Sequence, residues 1–156
     1  MTPKILPVAV DAMGGDHAPM AAVDGAIQAA RDLKIPVLLV GRRSTIEGEL
    51  KRFAIHGLPI EVLDAPDVVT MDESPVKAIR QKGSSIVMGL EAVKNGKASA
   101  FVSAGNSGAV MACALFTLKR LADIERPAIA TPVPTSNSTC LLIDAGANVD
   151  CKPQHL

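Results

Sequence analysis

The chain has 156 residues, of which sixteen are basic and sixteen acidic, for a formal net charge of zero; 48% are hydrophobic but only 2% aromatic. That length allows one ordinary domain whose core is built from Val, Ile, Leu, Ala and Met, which suits a layered α/β protein with strands covered on both faces. No basic tract points to nucleic acid, no run of about 18 apolar residues offers a membrane span, and Cys113, Cys140 and Cys151 lack the spacing of a disulfide framework or closed zinc site. A reducing cytoplasm is the expected compartment.

Ile5 to Val10 reads as the first strand. The loop after it, Asp11-Ala12-Met13-Gly14-Gly15-Asp16-His17-Ala18-Pro19, puts two carboxylates and an imidazole at the strand's C-terminal end, where open α/β sheets bind ligands. His17 can act as acid or base, donate to phosphate, or serve only the loop's own hydrogen bonding. Asp11 is either a site residue or an organiser of backbone N–H groups. Pro19 opens a helix with apolar positions at Val23, Ile27 and Ala30. Val37 to Val40 is the second strand, and Ser44-x-x-Glu47 reads as a capping box for a helix ending near Ile55. Arg42 and Arg43 at its start are phosphate contacts or solvated charges. Ile60 to Leu63 is a third strand.

The segment from Met71 to Ser85 brings Lys77, Arg80 and Lys82 towards Ser84 and Ser85. Guanidinium or ammonium groups beside hydroxyls suit phosphate, while the same serines can simply cap the next helix, which Gly96 ends. Ala98 to Val102 is a short buried strand. It runs directly into Ser103-Ala104-Gly105-Asn106-Ser107-Gly108 and then a helical pattern over Val110 to Leu121. A strand, glycine-rich turn and helix gather unpaired N–H groups where the helix dipole favours an anion; a purely structural turn explains the pattern equally well. The motif matches neither a dinucleotide fingerprint nor a P-loop. Cys113 reads as a buried thiol.

Strands are expected at Ala128 to Ala130 and Cys140 to Ile143, the second leading into the polar loop Asp144-Ala145-Gly146-Ala147-Asn148-Val149-Asp150. Asp144 and Asn148 there are candidate substrate contacts. The closing Pro153-Gln154-His155-Leu156 does not resemble a completed terminal element, so the chain is expected to be one part of a larger protein.

Taken together, VAVDAMGGDHAP (Val8 to Pro19), MDESPVKAIRQKGSSI (Met71 to Ile86), ASAFVSAGNSGAVMA (Ala98 to Ala112), ERPAIA (Glu125 to Ala130) and LLIDAGANVDCKPQHL (Leu141 to Leu156) resemble the phosphate acyltransferase family known as PlsX. The resemblance covers essentially the whole chain, and the combined match is specific. Ser107 stands where Thr is frequent, and Ala145 where Gly or another small residue is frequent.

The resemblance implies a three-layer α/β/α fold with a mostly parallel sheet, similar to isocitrate dehydrogenase and phosphotransacetylase proteins and incomplete in this chain. It implies transfer of a long-chain acyl group from acyl carrier protein to inorganic phosphate, giving acyl phosphate for a downstream glycerol-phosphate acyltransferase. A homodimer, peripheral membrane association of the full protein, and no metal or cofactor are also implied. On this scheme His17, Lys82, Asn106 and Asp144 are the catalytic candidates: Lys82 positions phosphate, Asn106 stabilises the oxyanion, and His17 orients phosphate or accepts a proton. Asp11, Gly14, Gly15, Asp16, Ser84, Ser85, Ser103, Gly105, Ser107, Gly108 and Asn148 are the phosphate and substrate contacts. A noncatalytic carrier-protein-binding or structural fragment is the different-class alternative. A nicotinamide-dependent dehydrogenase is the other, weakened by the missing fingerprint.

Overall fold

The computed structural model describes residues 5–124 and 127–146. The chain divides into two compact units, residues 1–118 and 119–156. In the first, β1 (Val8–Asp11), β2 (Val37–Gly41), β3 (Ile60–Asp64) and β4 (Ala100–Val102) form one sheet in the order β3-β2-β1-β4. All neighbouring strands are parallel, with Val8 opposite both Val37 and Ala100. Every strand therefore ends at the same edge.

Alternation along the strands sorts their side chains into two layers. Val37 and Leu39 face one cluster, together with Val23, Ala26, Ile27 and Ala30 of α1 (Met20–Asp32) and Ile46 and Leu50 of α2 (Arg43–Leu50). Leu38 and Val40 face the other, with Ala9 of β1 and Ala92 of α4 (Ser85–Lys94). β2 is buried along its whole length because helices cover both of its faces. The spacing Val23, Ala26, Ile27, Ala30 is the helical stripe that such a layer requires.

A third cluster joins α3 (Pro75–Arg80), α4 and α5 (Ser107–Thr117) through Ala78, Ile86, Val87, Leu90, Ala109 and Cys113. Cys113 is buried, and burial pushes its thiol pKa up. Gly96, at φ +66, follows the end of α4 as expected.

The chain steps outward from β1 to β2 to β3, then returns through α3 and α4 to lay β4 on the opposite side of β1. The strand order thus reverses between β1 and β4, and the loops leaving their C-terminal ends lie side by side at that point.

Three expectations are corrected. The Ser44-x-x-Glu47 box does not cap α2: the helix starts at Arg43, whose N–H donates to Asp64 Oδ1 at 2.9 Å, and Glu47 pairs with the Arg43 guanidinium instead. Helix α5 begins at Ser107 and ends at Thr117, earlier at both ends than Val110 to Leu121. In the second unit the strand expected at Ala128 to Ala130 is instead β5 (Ala130–Pro134), which forms an antiparallel hairpin with β6 (Thr139–Ile143), in addition to the parallel strands of the first unit. No helix among the described residues is long and apolar enough to cross a membrane.

Gly89 in α4 gives a test of the packing. A Cβ there would lie 2.4 Å from the Phe101 ring. An exposed helical Gly→Ala change gains up to about 1 kcal/mol, whereas overpacking costs about 1–3 kcal/mol. Gly89→Ala is therefore expected to lower the urea midpoint; a raised midpoint would contradict the close contact.

Candidate functional site

The loops after β1 and β4 meet at the reversal point through a buried carboxylate. Asp11, 2% exposed, accepts the Ser103 hydroxyl at Oδ2 (2.8 Å) and the Met13 N–H at Oδ1 (3.0 Å). Ser103 Oγ in turn accepts the Gly105 N–H at 3.1 Å. One hydroxyl therefore serves both loops, donating to the first and accepting from the second.

The glycines make this approach possible. A Cβ on Gly14 would sit 2.4 Å from Asp11 Oδ2 and 2.9 Å from Ser103 Oγ, and one on Gly105 would sit 3.2 Å from the Gly14 Cα. Gly15, at φ +101, brings its backbone against Ala104. Any side chain at Gly14 would enter space that the Asp11–Ser103 hydrogen bond already fills.

Helix α5 starts directly beyond this junction. Asn106 is its N-cap: Oδ1 accepts the Ala109 N–H at 3.0 Å, while Nδ2 faces the carbonyls of Thr70, Met71 and Glu73 at 3.3, 3.1 and 2.8 Å. With Ala109 capped and the Val110 N–H bonded to the Asn106 carbonyl, the N–H groups that begin the helix belong to Ser107 and Gly108, both exposed residues. Amides in that position, with the helix dipole behind them, bind anions. The Gly108 Cα lies beside Pro75, whose Cγ would be 3.4 Å from a Cβ added there.

The segment below is tied by Glu73, whose side chain is only 5% exposed and bonds Lys77 Nζ at 2.6 Å and Gln81 Nε2 at 2.7 Å. Lys77 holds the Glu73 carboxyl below its ordinary pKa, and Glu73 raises that of Lys77. The backbone-pairing role of residues 70–73 was not visible in the sequence, because carbonyl acceptors carry no residue signature.

The structure brings Asp11, Gly14, Gly15, Ser103, Gly105, Ser107 and Gly108 to one place. Asp16 and His17 are exposed in the same first loop. Among the described residues no hydrogen bond joins Lys82 or the serine pair to this junction. Lys82 lines a hollow of about 110 Å³ with Glu91, Lys94, Cys113, Phe116 and Thr117. Cys113 and Thr117 are six to ten residues along α5, roughly 9–15 Å from its start at the α-helical rise. Ser84 and Ser85 are buried at 0% and 1% exposure, and Ser84 Oγ is spent on capping α4 through the Val87 N–H. Their expected role as ligand-contacting hydroxyls gives way to that cap and to packing.

The Asn106 amide is likewise engaged as a clip between two segments. Arg42 bonds the Pro66 carbonyl, and Arg43 the Val62 carbonyl and Glu47. In the second unit Asp144 Oδ1 accepts the Ile129 N–H at 2.7 Å. Asn148 lies outside the described residues.

These features define an α/β protein whose four-stranded parallel sheet carries a helix start at its reversal point. The chain belongs to the fatty acid synthesis protein family, a model of which matches residues 6–156. It is 56% identical over 158 residues to the phosphate acyltransferase of Anaeromyxobacter sp. (strain Fw109-5), covering 100% of this chain and 44% of the relative. It is 51% identical over 153 residues to that of Desulforamulus reducens, covering 97% and 46%, and 49% identical over 154 residues to that of Endomicrobium trichonymphae, covering 96% and 46%. The chain thus spans somewhat under half the length of these relatives.

Ser103→Ala is expected to cost about 1–3 kcal/mol in urea unfolding, since it removes a donor from a buried carboxylate; an unchanged midpoint would contradict the junction. The Glu73–Lys77 pair sets a pH window. A lowered Glu73 pKa contributes stability that is complete above the ordinary glutamate value and lost as pH falls through the lowered one. The raised Lys77 pKa contributes stability that is complete below the ordinary lysine value and lost as pH rises through the raised one. The stability gap between wild type and Lys77→Met should therefore be small but present at neutral pH, shrink with salt, and close in strong acid. A gap that persists in acid would contradict the pairing.

Proposed function

We propose that the protein carrying this chain is a phosphate acyltransferase that moves a long-chain acyl group from an acyl carrier protein thioester to inorganic phosphate. The observation that carries this is the pair of helix-start amides of the exposed residues Ser107 and Gly108, held at the sheet's reversal point by the Asp11–Ser103 junction. The names of the similar proteins supply the acyl chemistry, and the helix terminus supplies a place for phosphate.

In this scheme a phosphate oxygen attacks the thioester carbonyl carbon. A C–O bond forms, the C–S bond breaks, and the carrier thiolate leaves and takes up a proton. Dianionic phosphate is itself nucleophilic, so holding it in line contributes most of the rate. His17, exposed in the first loop, orients phosphate or accepts its proton. Asp11 works through Ser103 as an organiser. Because the Asn106 amide hydrogens already face three carbonyls, backbone N–H groups are the better assignment for oxyanion stabilisation.

Lys82, at the side of α5, is assigned to longer-range attraction of anionic substrate. Asp144 and Asn148 join the scheme through the family resemblance alone. The same resemblance supports the isocitrate dehydrogenase-like completion of the fold, a homodimer, a cytoplasmic protein that associates peripherally with membrane, and delivery of acyl phosphate to a glycerol-phosphate acyltransferase.

The test exploits the helix start. Proline is well tolerated at the first helical position and lacks an N–H, and Asn106 already has the extended backbone that precedes proline (φ −61, ψ 103). Ser107→Pro is expected to raise the phosphate KM about tenfold or more relative to Ser107→Ala, the worth of a charge-assisted hydrogen bond. The assay follows acyl phosphate and released thiol, with this chain alone and joined to the remaining length its relatives carry. Equal phosphate KM values for the two variants would reject the site. Product formation by neither form of wild type would favour a noncatalytic carrier-protein-binding role.

A further inference from the structure

Glu73 is not among the residues singled out in the sequence, yet it lies under the helix terminus. Its side chain is 5% exposed and accepts from Lys77 Nζ (2.6 Å), Gln81 Nε2 (2.7 Å) and the Thr70 N–H (3.4 Å). Its backbone carbonyl is also the closest of the three that Asn106 Nδ2 faces, at 2.8 Å. One residue therefore grips the body of α3 with its side chain and the N-cap of α5 with its main chain. We propose that Glu73 is a positioning residue for phosphate, fixing the 70–73 turn, through it Asn106, and through Asn106 the helix-start amides of Ser107 and Gly108. This rests on the phosphate site proposed above.

Two details favour a device over an incidental ion pair. A surface pair between Glu73 and Lys77 alone would leave the carboxylate in water, but here a third and a fourth group close over it. Gln81 Oε1 is buried and has no hydrogen-bond partner among the described residues. The Gln81 amide thus leaves its own oxygen unpaired to keep its N–H₂ on Glu73, and reversing it would set two oxygens against each other. That arrangement makes sense if the position of the 70–73 turn matters.

A negative charge near an anion site would ordinarily weaken it. Lys77 cancels that charge locally, so Glu73 can supply acceptor capacity without repelling phosphate. A neutral side chain of the same size could not accept from three donors at once.

The experiment compares steady-state kinetics of the full-length protein in wild-type, Glu73→Ala, Glu73→Gln, Glu73→Asp and Ser107→Pro forms, varying inorganic phosphate and acyl-carrier-protein thioester separately. Glu73→Ala is expected to raise the phosphate KM about five- to tenfold while the thioester KM stays within about twofold, and Glu73→Gln, which keeps one acceptor, is expected to recover much of the loss. The double variant Glu73→Ala/Ser107→Pro should fall short of the product of the single effects, because both act on the same amides. Should the alanine variant fail to fold, Glu73→Asp carries the test: it keeps the charge, shortens the reach, and raises the phosphate KM about threefold.

A folded Glu73 variant with an unchanged phosphate KM, or with both KM values raised alike, overturns the positioning role. If Ser107→Pro alone raises the phosphate KM, the site survives and only the role of Glu73 falls. If Ser107→Pro has no effect, the site itself falls and the proposal with it.

Discussion

A carboxylate buried at 2% exposure has to be satisfied by donors, and Asp11 finds its long-range one on the far side of the reversal point, in Ser103. That hydrogen bond joins residues 92 positions apart and fixes the separation of the two loops that end β1 and β4. The glycines follow from it. Gly14 and Gly105 are small because the loop backbones approach each other over the same oxygen atoms, where a Cβ would meet Asp11 and Ser103 or the opposite main chain. The start of α5 then emerges in a defined direction.

In the proposed site side chains hold the loops in place, and the main chain is the part left to receive an anion. Asp11, Ser103 and Asn106 are all engaged within the protein, and the N–H groups that begin the helix beyond them belong to the exposed residues Ser107 and Gly108. Backbone donors carry no titratable proton and no rotamer freedom to lose, so they present a phosphate with a geometry that is already paid for in folding. The asparagine shows the principle: its oxygen caps the helix and its nitrogen fastens the 70–73 turn, so it shapes the site without extending into it.

The parts of the fold that depend on periodicity and turn chemistry were legible in the sequence. The β1, β2 and β4 segments, the α1 stripe at Val23, Ile27 and Ala30, the Ser84 cap and the Gly96 stop all stand close to where pattern placed them. The two glycine-bearing loops after β1 and β4 were visible as such, but that one Asp11–Ser103 hydrogen bond joins them was not. Long-range pairing was not legible. Ser44 and Glu47 have the spacing of a capping box, but Asp64, from the neighbouring strand's end, reaches the Arg43 N–H first. Lys82 and the serine pair are adjacent in sequence to a plausible phosphate loop, yet the serines turn inward and Lys82 lies along α5. Glu73 gave no signal, since its importance comes from carbonyls and an amide that any sequence contains. The pairing of β5 with β6 was likewise a choice among strand partners that local pattern leaves open.

The central claim is that an anion is received by the main chain at the start of α5, and amide chemical shifts read that directly. Titrating inorganic phosphate into ¹⁵N-labelled protein should move the Gly105, Ser107 and Gly108 resonances most, with Lys94 and Thr117 nearly still. Shifts concentrated instead around Lys82, Lys94 and Thr117, with the α5 start unmoved, would place the anion at the other end of that helix and contradict the account.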